Sequence, residues 1–290
     1  MSTAERIPVA ILGATGAVGQ TFIRLLDGHP WFRVAEVAAS DRSAGKSYAE
    51  ATRWIEGNMP AEVATLVVKA CDPIQVTSPV VFSALDAAAA GELEPAFARA
   101  GRMVLSNAKN FRMEPDVPLV IPEVNAGHLD LISTQRVARG WSGAIVTNAN
   151  CAATVAAMAM APLHERFGVR SVFAATMQAI SGAGYPGVPS LDILGNVIPY
   201  IGDEEPKIER EMQKMLGRLS GATVEAAPFV VSAHANRVAV ENGHTICLSM
   251  AFETRPTVPQ AIAAIREWRG VPVARGLPSA PDIPLRYREE

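Results

Sequence analysis

Apolar and polar positions along the first half of the chain switch between two periods. Ile7–Leu12 (IPVAIL), Phe32–Ala39 and Val80–Leu85 (VVFSAL) are short apolar runs of strand length. Between them lie stretches of helical spacing. Val18, Phe22, Leu25 and Leu26 mark the apolar stripe of a helix that Gly28 and Pro30 stop, and an Ala-rich run from Asp86 to Ala100 reads as another helix. Further strands are predicted within Gly101–Ser106 and at Leu119–Ile121. Strands alternating with helices predict an α/β fold, a doubly wound parallel sheet of Rossmann type.

The second half has a different pattern. A long Ala- and Met-rich helix is predicted over Cys151–Phe167, a strand over Val172–Ile180, a Gly/Pro-rich loop over Ser181–Pro189 and a charged helix over Asp203–Leu216. Two apolar runs, Phe229–Val240 and Thr245–Phe252, flank Asn242-Gly243. Asn-Gly between such runs predicts a hairpin, because both turn positions need positive φ. In an ideal hairpin Arg237, Ala239, Glu241 and His244 share one face, with Arg237 and His244 about 13 Å apart. This half therefore reads as an α+β domain. The expected domains are 1–147 and 148–290.

Composition narrows the possibilities. The 290 residues are 49% hydrophobic, enough for a large core, and the net charge is only −3. Without a basic stripe, nucleic acid is not an expected partner. Apolar runs fall short of the ~20 residues of a membrane span, and Met1 to Pro8 lacks the apolar core of a secretory signal, so no membrane is expected and the cytoplasm is. Three cysteines, Cys71, Cys151 and Cys247, make no disulfide framework and fit a reducing compartment. No His, Cys or Asp cluster has metal-ligand spacing, so no metal is expected.

Gly13-Ala-Thr-Gly16-Ala-Val-Gly19 joins the first strand to the first helix. Glycine lets the backbone turn sharply and approach a pyrophosphate, whose charge is met by helix N-terminal N–H groups. A ligand-free tight turn has the same pattern, but its position between strand and helix favours dinucleotide binding. After the second strand comes Ser40-Asp-Arg42-Ser43-Ala-Gly-Lys46. Two cations and two hydroxyls outnumber Asp41 and suit the 2′-phosphate of NADP. A dominant Asp41 would suit the ribose of NAD instead.

Asn148-Ala-Asn150-Cys151 puts a thiol at the start of a predicted helix. Free N–H donors and the helix dipole there favour a thiolate, making Cys151 a candidate nucleophile with Asn150 beside it as an oxyanion donor. Free cysteines are more often buried and inert, the reading given to Cys71 and Cys247. Position alone leaves both readings open for Cys151.

Six ordered segments add to this: Gly13–Gly19, Ser40–Lys46, Ser106–Arg112, Asn148–Thr154, Gln178–Gly187 (Gln-x-x-Ser-Gly-Ala-Gly-x-Pro-Gly), and Asn236-Arg237 with Gly243-His244. Together they resemble aspartate-semialdehyde dehydrogenase, most closely its archaeal and fungal branch, over essentially the whole chain. The resemblance implies NADPH-dependent reduction of L-4-aspartyl phosphate to L-aspartate 4-semialdehyde, in the route to lysine, threonine and methionine. It makes Cys151 the nucleophile that carries a thioester, His244 the acid/base and Gln178 the group that positions the acyl chain. Arg237 would bind the substrate carboxylate and Arg112 the phosphate. Glu204 and Lys207 have the spacing of the family's helix pair, with Glu205 as a close competitor. Cofactor contacts would come from Gly13, Thr15, Gly16, Ala17, Val18, Ser40, Arg42, Ser43, Lys46, Ser83, Ser181 and Gly182. A homodimer or homotetramer is implied.

Two departures stand out. Ala152 and Ala153 follow the nucleophile where many relatives carry a hydroxyl. Relatives also continue with another strand and a final helix, whereas this sequence stops at Glu290 after a Pro-rich stretch, Pro272 to Pro284. An unpaired sheet edge and a less enclosed nicotinamide pocket are therefore expected. Malonyl-CoA reductase resembles the same branch, and a non-catalytic nucleotide-binding or dimer-forming fragment is a further alternative.

Overall fold

A computed structural model describes residues 6–289. The chain forms two compact units. One runs through Pro118 and takes in Asp130–Asn148; the other comprises Leu119–Leu129 and the chain from Ala149 onward.

The first unit is built on six parallel strands: β1 (Ile7–Leu12), β2 (Phe32–Ala39), β3 (Lys69–Ala70), β4 (Val80–Ser83), β5 (Met103–Ser106) and β6 (Ala144–Thr147). Their order is β3-β2-β1-β4-β5-β6, the Rossmann-type order, which reverses between β1 and β4. Strand alternation gives the sheet two apolar faces. Val9 and Ile11 of β1 join Ile23, Val37 and Tyr48 in one cluster, while Ala10 and Leu12 join Val81, Phe97, Val104 and Ile145 in another. The helices α1 (Ala17–Leu26), α2 (Ala87–Arg99) and α3 (Leu131–Arg139) accompany these strands.

The apolar stripe predicted for α1 is rotated in the structure. Gly19, Gln20, Ile23 and Leu26 are buried, whereas Val18 and Leu25 are 39% and 59% exposed. Gly19 explains the rotation: a Cβ there would stand 2.4 Å from Gly13 O, so this face of the helix lies against the glycine loop. The strand predicted at Leu119–Ile121 does not form. Those residues belong to the second unit's core, where Asn125 meets their backbone: Ile121 N–H donates to Asn125 Oδ1, and Asn125 Nδ2 donates to Leu119 O.

In the second unit β7 (Val169–Gln178) is the middle strand of three. The two-stranded ribbon β8 (Arg218–Ser220) and β9 (Thr223–Glu225) stands apart from that sheet. β10 (Val230–Arg237) pairs with β7 in parallel, and β11 (Thr245–Phe252) pairs with it antiparallel. The predicted Asn242-Gly243 hairpin is therefore absent, because β7 lies between the two strands it would join. Residues 238–241 instead follow the end of β7. Val238 N–H donates to Gln178 O, Ile180 N–H to Val240 O, and Ser181 N–H to Glu241 O. The face shared by Arg237, Glu241 and His244 disappears with the hairpin.

Two helices cover the inner side of this sheet. On α4 (Cys151–Phe167) the small residues Ala152, Ala153, Ala156 and Ala157 pack with Met160 against Ile208, Met212 and Met215 of α5 (Glu204–Met215). A second stripe of α5 seals the outer edge of β10. Glu205 and Glu209 accept from Ala235 N and Ala233 N, and Gln213 Nε2 donates to Phe229 O. Among the described residues β11 has a strand partner on one side only. A last helix, α6 (Val258–Glu267), follows it. No helix among the described residues is long and apolar enough to cross a membrane.

Glu94 of α2 is wholly buried and accepts from Ser106 Oγ at 2.7 Å. Burial raises its pKa, against the opposing effect of the neighbouring Ser83 and Ser106 hydroxyls. As pH rises past the ordinary carboxylate range, the unfolded chain ionises while the folded one still holds the proton, so stability falls through this window. Glu94→Gln keeps an acceptor and removes the titration. The melting temperature of wild type relative to Glu94→Gln is therefore expected to decline as pH is raised from the ordinary to the elevated carboxyl pKa. A difference independent of pH would contradict this.

Candidate active site

The glycine loop in the first unit is shaped for close approach. Gly13 has φ +69°, and a Cβ there would stand 2.6 Å from Ala84 O. Gly16 is the N-cap of α1 and carries no side chain over the helix's first N–H groups. Thr15 and Ala17 are half-buried around it, and Gly16 and Val18 are exposed. At the end of the neighbouring β2, Ser43 N–H closes a turn on Ser40 O, leaving Ser40, Asp41, Arg42 and Lys46 exposed. Ser83 does not fit the expectation placed on it. It is wholly buried, so it offers no surface to a ligand. Arg112 belongs to this unit, is 8% exposed and donates from Nη2 to Asn107 O at 2.9 Å.

In the second unit Cys151 is exposed at the first position of the 17-residue α4, where a helix concentrates unsatisfied N–H donors and partial positive charge. Asn150 caps that helix and is committed on three sides. Its Oδ1 accepts from Ala153 N at 3.0 Å, its Nδ2 donates to Glu204 Oε1 at 2.6 Å, and its backbone N–H donates to Glu211 Oε2 at 2.5 Å. At 7% exposure its amide orients the helix start and is not an open oxyanion donor, contrary to the sequence expectation. Glu211, only 2% exposed, gave no signal in the sequence beyond the buried face of a helix.

Glu204 and Glu205 face different ways. Glu204 faces Asn150 and lies 3.4 Å from Lys207 Nζ, whereas Glu205 is spent on the edge of β10.

His244 lies just before β11, and its Nε2 is 2.9 Å from Cys151 Sγ. Its other nitrogen, Nδ1, accepts from Ala179 N–H at 3.1 Å. Arg237, only 6% exposed, donates from Nη1 to Ala179 O at 2.9 Å. Both side chains flank Gly182: a Cβ there would stand 2.8 Å from Arg237 Nη1 and 3.6 Å from His244 Nε2. Cys151, His244, Gly182 and Arg237 thus converge around the turn after β7, although Arg237 and His244 come from strands that do not pair. Ser181 is exposed in this turn. Gln178 is 1% exposed with its amide 3.3 Å from Thr176 Oγ1, so the structure brings it beneath the turn but to none of the converging groups.

The remaining candidates lie elsewhere. Burial raises the pKa of the Cys71 thiol, and Cys247 is exposed on β11 rather than buried as a typical inert cysteine. His128 is buried between Asn125 and Gly217 O, His164 accepts from Val169 N–H, and His234 lies tilted against Phe173. No three His, Cys, Asp or Glu residues gather as a metal site among the described residues.

A Rossmann-type unit joined to a unit in which helix-borne Cys151 meets His244 places the chain in the semialdehyde dehydrogenase class. The model "Semialdehyde dehydrogenase, NAD binding domain" matches residues 8–132, and "Semialdehyde dehydrogenase, dimerisation domain" matches 160–284. The aspartate-semialdehyde dehydrogenase of Trichophyton rubrum is 46% identical across 100% of this chain and 83% of its own length. That of Archaeoglobus fulgidus is 46% identical across 98% and 82%. The crystal structure of the Candida albicans enzyme with NADP superimposes with a TM-score of 0.88 at 40% identity, covering 96% of this chain and 81% of that one. The chain belongs to the aspartate-semialdehyde dehydrogenase family.

Asn150→Ala removes a helix cap and leaves the buried Glu204 without one of its donors. It is expected to lower the unfolding free energy by about 1–3 kcal/mol in urea titration. A loss below ~0.5 kcal/mol would show that the cap does not organise this helix start.

Proposed function

We propose that this protein interconverts L-4-aspartyl phosphate and L-aspartate 4-semialdehyde with NADP(H), through a thioester on Cys151. The observation that carries the reading is the 2.9 Å contact between Cys151 Sγ and His244 Nε2 at the N-terminus of α4. A thiol there is exposed, set at the positive end of a helix dipole and hydrogen-bonded to an imidazole, the setting a nucleophilic cysteine requires.

Each residue has a part in this scheme. Cys151 sulfur adds to the acyl carbon and phosphate leaves with its bonding electrons, producing the thioester. Arg237, aligned by Ala179 O, presents a guanidinium suited to a substrate carboxylate. Lys207, beside Glu204, offers a second cation within the same unit. Asn150 holds the helix start, and the part of Gln178 in positioning the acyl chain rests on the family resemblance. The phosphate-binding role of Arg112 rests on the family resemblance.

The residues of the first unit fit a dinucleotide. Gly13 and Gly16 leave the end of β1 and the first N–H groups of α1 open for a pyrophosphate, with Thr15, Ala17 and Val18 around them. Ser40, Arg42, Ser43 and Lys46 suit a 2′-phosphate at the end of β2. The reduced nicotinamide, when bound, supplies a hydride to the acyl carbon. The NADP complex of the Candida albicans relative supports this choice of nucleotide. The match to a dimerisation domain supports a homodimer formed through the second unit.

The direct test is phosphate-dependent reduction of NADP⁺ with aspartate semialdehyde, run beside NADPH oxidation with malonyl-CoA. Activity with the semialdehyde is expected in wild type and its abolition in Cys151→Ala, with NADP(H) binding nearly intact. Turnover with malonyl-CoA alone would reassign the acyl donor, and loss of nucleotide binding in Cys151→Ala would make that residue structural. A second check concerns the nucleotide: Arg42→Ala is expected to weaken NADPH binding about tenfold or more while leaving NADH binding little changed. Equal effects on both would point to Asp41 and an NAD ribose.

A further inference from the structure

We propose that Glu205 and Glu209 are positioning residues that fix the roll of α5 against β10, and so the place of Lys207. They then govern affinity for the anionic substrate and not the chemical step. The inference rests on the thioester reading above and extends it to side chains that touch no reacting atom. Among the described residues β7 is the only strand beside β10 in its sheet, so alternate residues of β10 turn their N–H groups to the open edge. One continuous stretch of chain supplies the acceptors. Ala233 N–H donates to Glu209 Oε1 at 3.1 Å, Ala235 N–H to Glu205 Oε1 at 3.0 Å and Arg237 N–H to Ile198 O at 2.8 Å. Gln213, one turn further along α5, donates from Nε2 to Phe229 O at 2.8 Å.

Two repeats match here. Side chains four residues apart on a helix are separated by about 6 Å along its axis, and alternate residues of a strand by about 6.6 Å. Glu205 and Glu209 therefore meet Ala235 and Ala233 in turn, with α5 antiparallel to β10. A slip of one residue would turn both carboxylates ~100° away from the edge. The pair thus sets the register of the helix as well as its distance from the sheet.

A different flank of α5 faces the candidate active site. Glu204 and Glu211 both accept from Asn150, and Lys207 Nζ lies 3.4 Å from Glu204 Oε2. Counted round the helix from Glu204, Glu205 and Glu209 stand at ~100° and ~140°, and Lys207 ~60° to the other side. The contacts with Asn150 form one line, about which a helix can still roll. A roll of ~20° carries a side-chain end 5–6 Å from the axis through about 2 Å. Contacts on β10 form a second line and remove that freedom. Because β10 also ends in Arg237, both cations are referred to one strand. In the oxidative direction the reaction has two anions to hold besides the nucleotide. Arg237 suits the substrate carboxylate, and Lys207 is left for inorganic phosphate. A displaced α5 would separate Lys207 from its anion, while Cys151 and His244 keep their places on α4 and beside the turn after β7.

The test is the KM for phosphate in NADP⁺-dependent oxidation of aspartate semialdehyde, with the rate of Cys151 alkylation by iodoacetamide as a readout of the thiol. In Glu205→Ala/Glu209→Ala the KM for phosphate is expected to rise about tenfold or more, with kcat within about threefold of wild type. Cys151 should be alkylated at the wild-type rate. Glu205→Gln/Glu209→Gln keeps an oxygen acceptor at each place and is expected to restore the KM to within about twofold of wild type. An unchanged KM in the alanine variant, equal rises in both variants, or a fall in kcat and alkylation in step with the KM would overturn the proposal. Should the double alanine variant not fold, Glu209→Ala alone is read in the same way, with a rise of about threefold or more expected. Amide hydrogen exchange gives an arm without substrate. The amides of Ala233 and Ala235 are expected to be protected in wild type and the glutamine variant and to exchange about tenfold faster or more in the alanine variant. Fast exchange in wild type would overturn the proposal whatever the activity. Protected amides in a wild type that does not turn over the semialdehyde would sink the thioester reading and leave the seating of α5 on β10 standing.

Discussion

The second unit depends on how the first turn of α4 is satisfied. A helix start pressed into a core leaves N–H groups that must find acceptors. Asn150 supplies one acceptor to Ala153 N–H and directs its own donors to two buried carboxylates, Glu204 and Glu211. Those carboxylates come from α5, so the cap also joins the two helices. With the inward side of the turn occupied in this way, Cys151 is left on the outward side, exposed and facing His244.

The second constraint is the central position of β7. Because β10 and β11 lie on opposite sides of it, Arg237 and His244 approach the turn after β7 from different directions. Ala179 receives both, one through its carbonyl and one through its N–H. Gly182 completes the arrangement, since any side chain there would press on the guanidinium and the ring together. A hairpin would have spread the same two residues along a strand face. The observed sheet gathers them at one point.

Strand and helix periods revealed four of the first unit's six strands, β1 and β2 to the residue, together with α1 and α2, whereas β3, β6 and α3 left no signal that was read. Its errors came from packing that periodicity does not encode. Gly19 turned α1 away from its apolar stripe, because contact with the loop outweighed the burial of Val18 and Leu25. Leu119–Ile121 had the composition of a strand but found its backbone partners in the Asn125 side chain. In the second unit the Asn242-Gly243 signal was local, and pairing through β7 overrode it. Cys151 could be read as a helix-start thiol, and ordered motifs pointed to His244 and Arg237. Ser83 was misjudged because a hydroxyl on a strand looks the same whether it faces a ligand or Glu94. Glu211 and Ala179 were invisible for opposite reasons. One is a carboxylate on an already charged helix, and the other acts only through its backbone.

In the proposed reaction Cys151 carries the acyl group. Mass spectrometry of protein quenched in acid after mixing with aspartate semialdehyde and NADP⁺, without phosphate, tests it most directly. An aspartyl adduct is expected on the peptide containing Cys151, and it should disappear when phosphate is added before the quench. An adduct on Cys71 or Cys247, or turnover with no covalent adduct at any time, would contradict it.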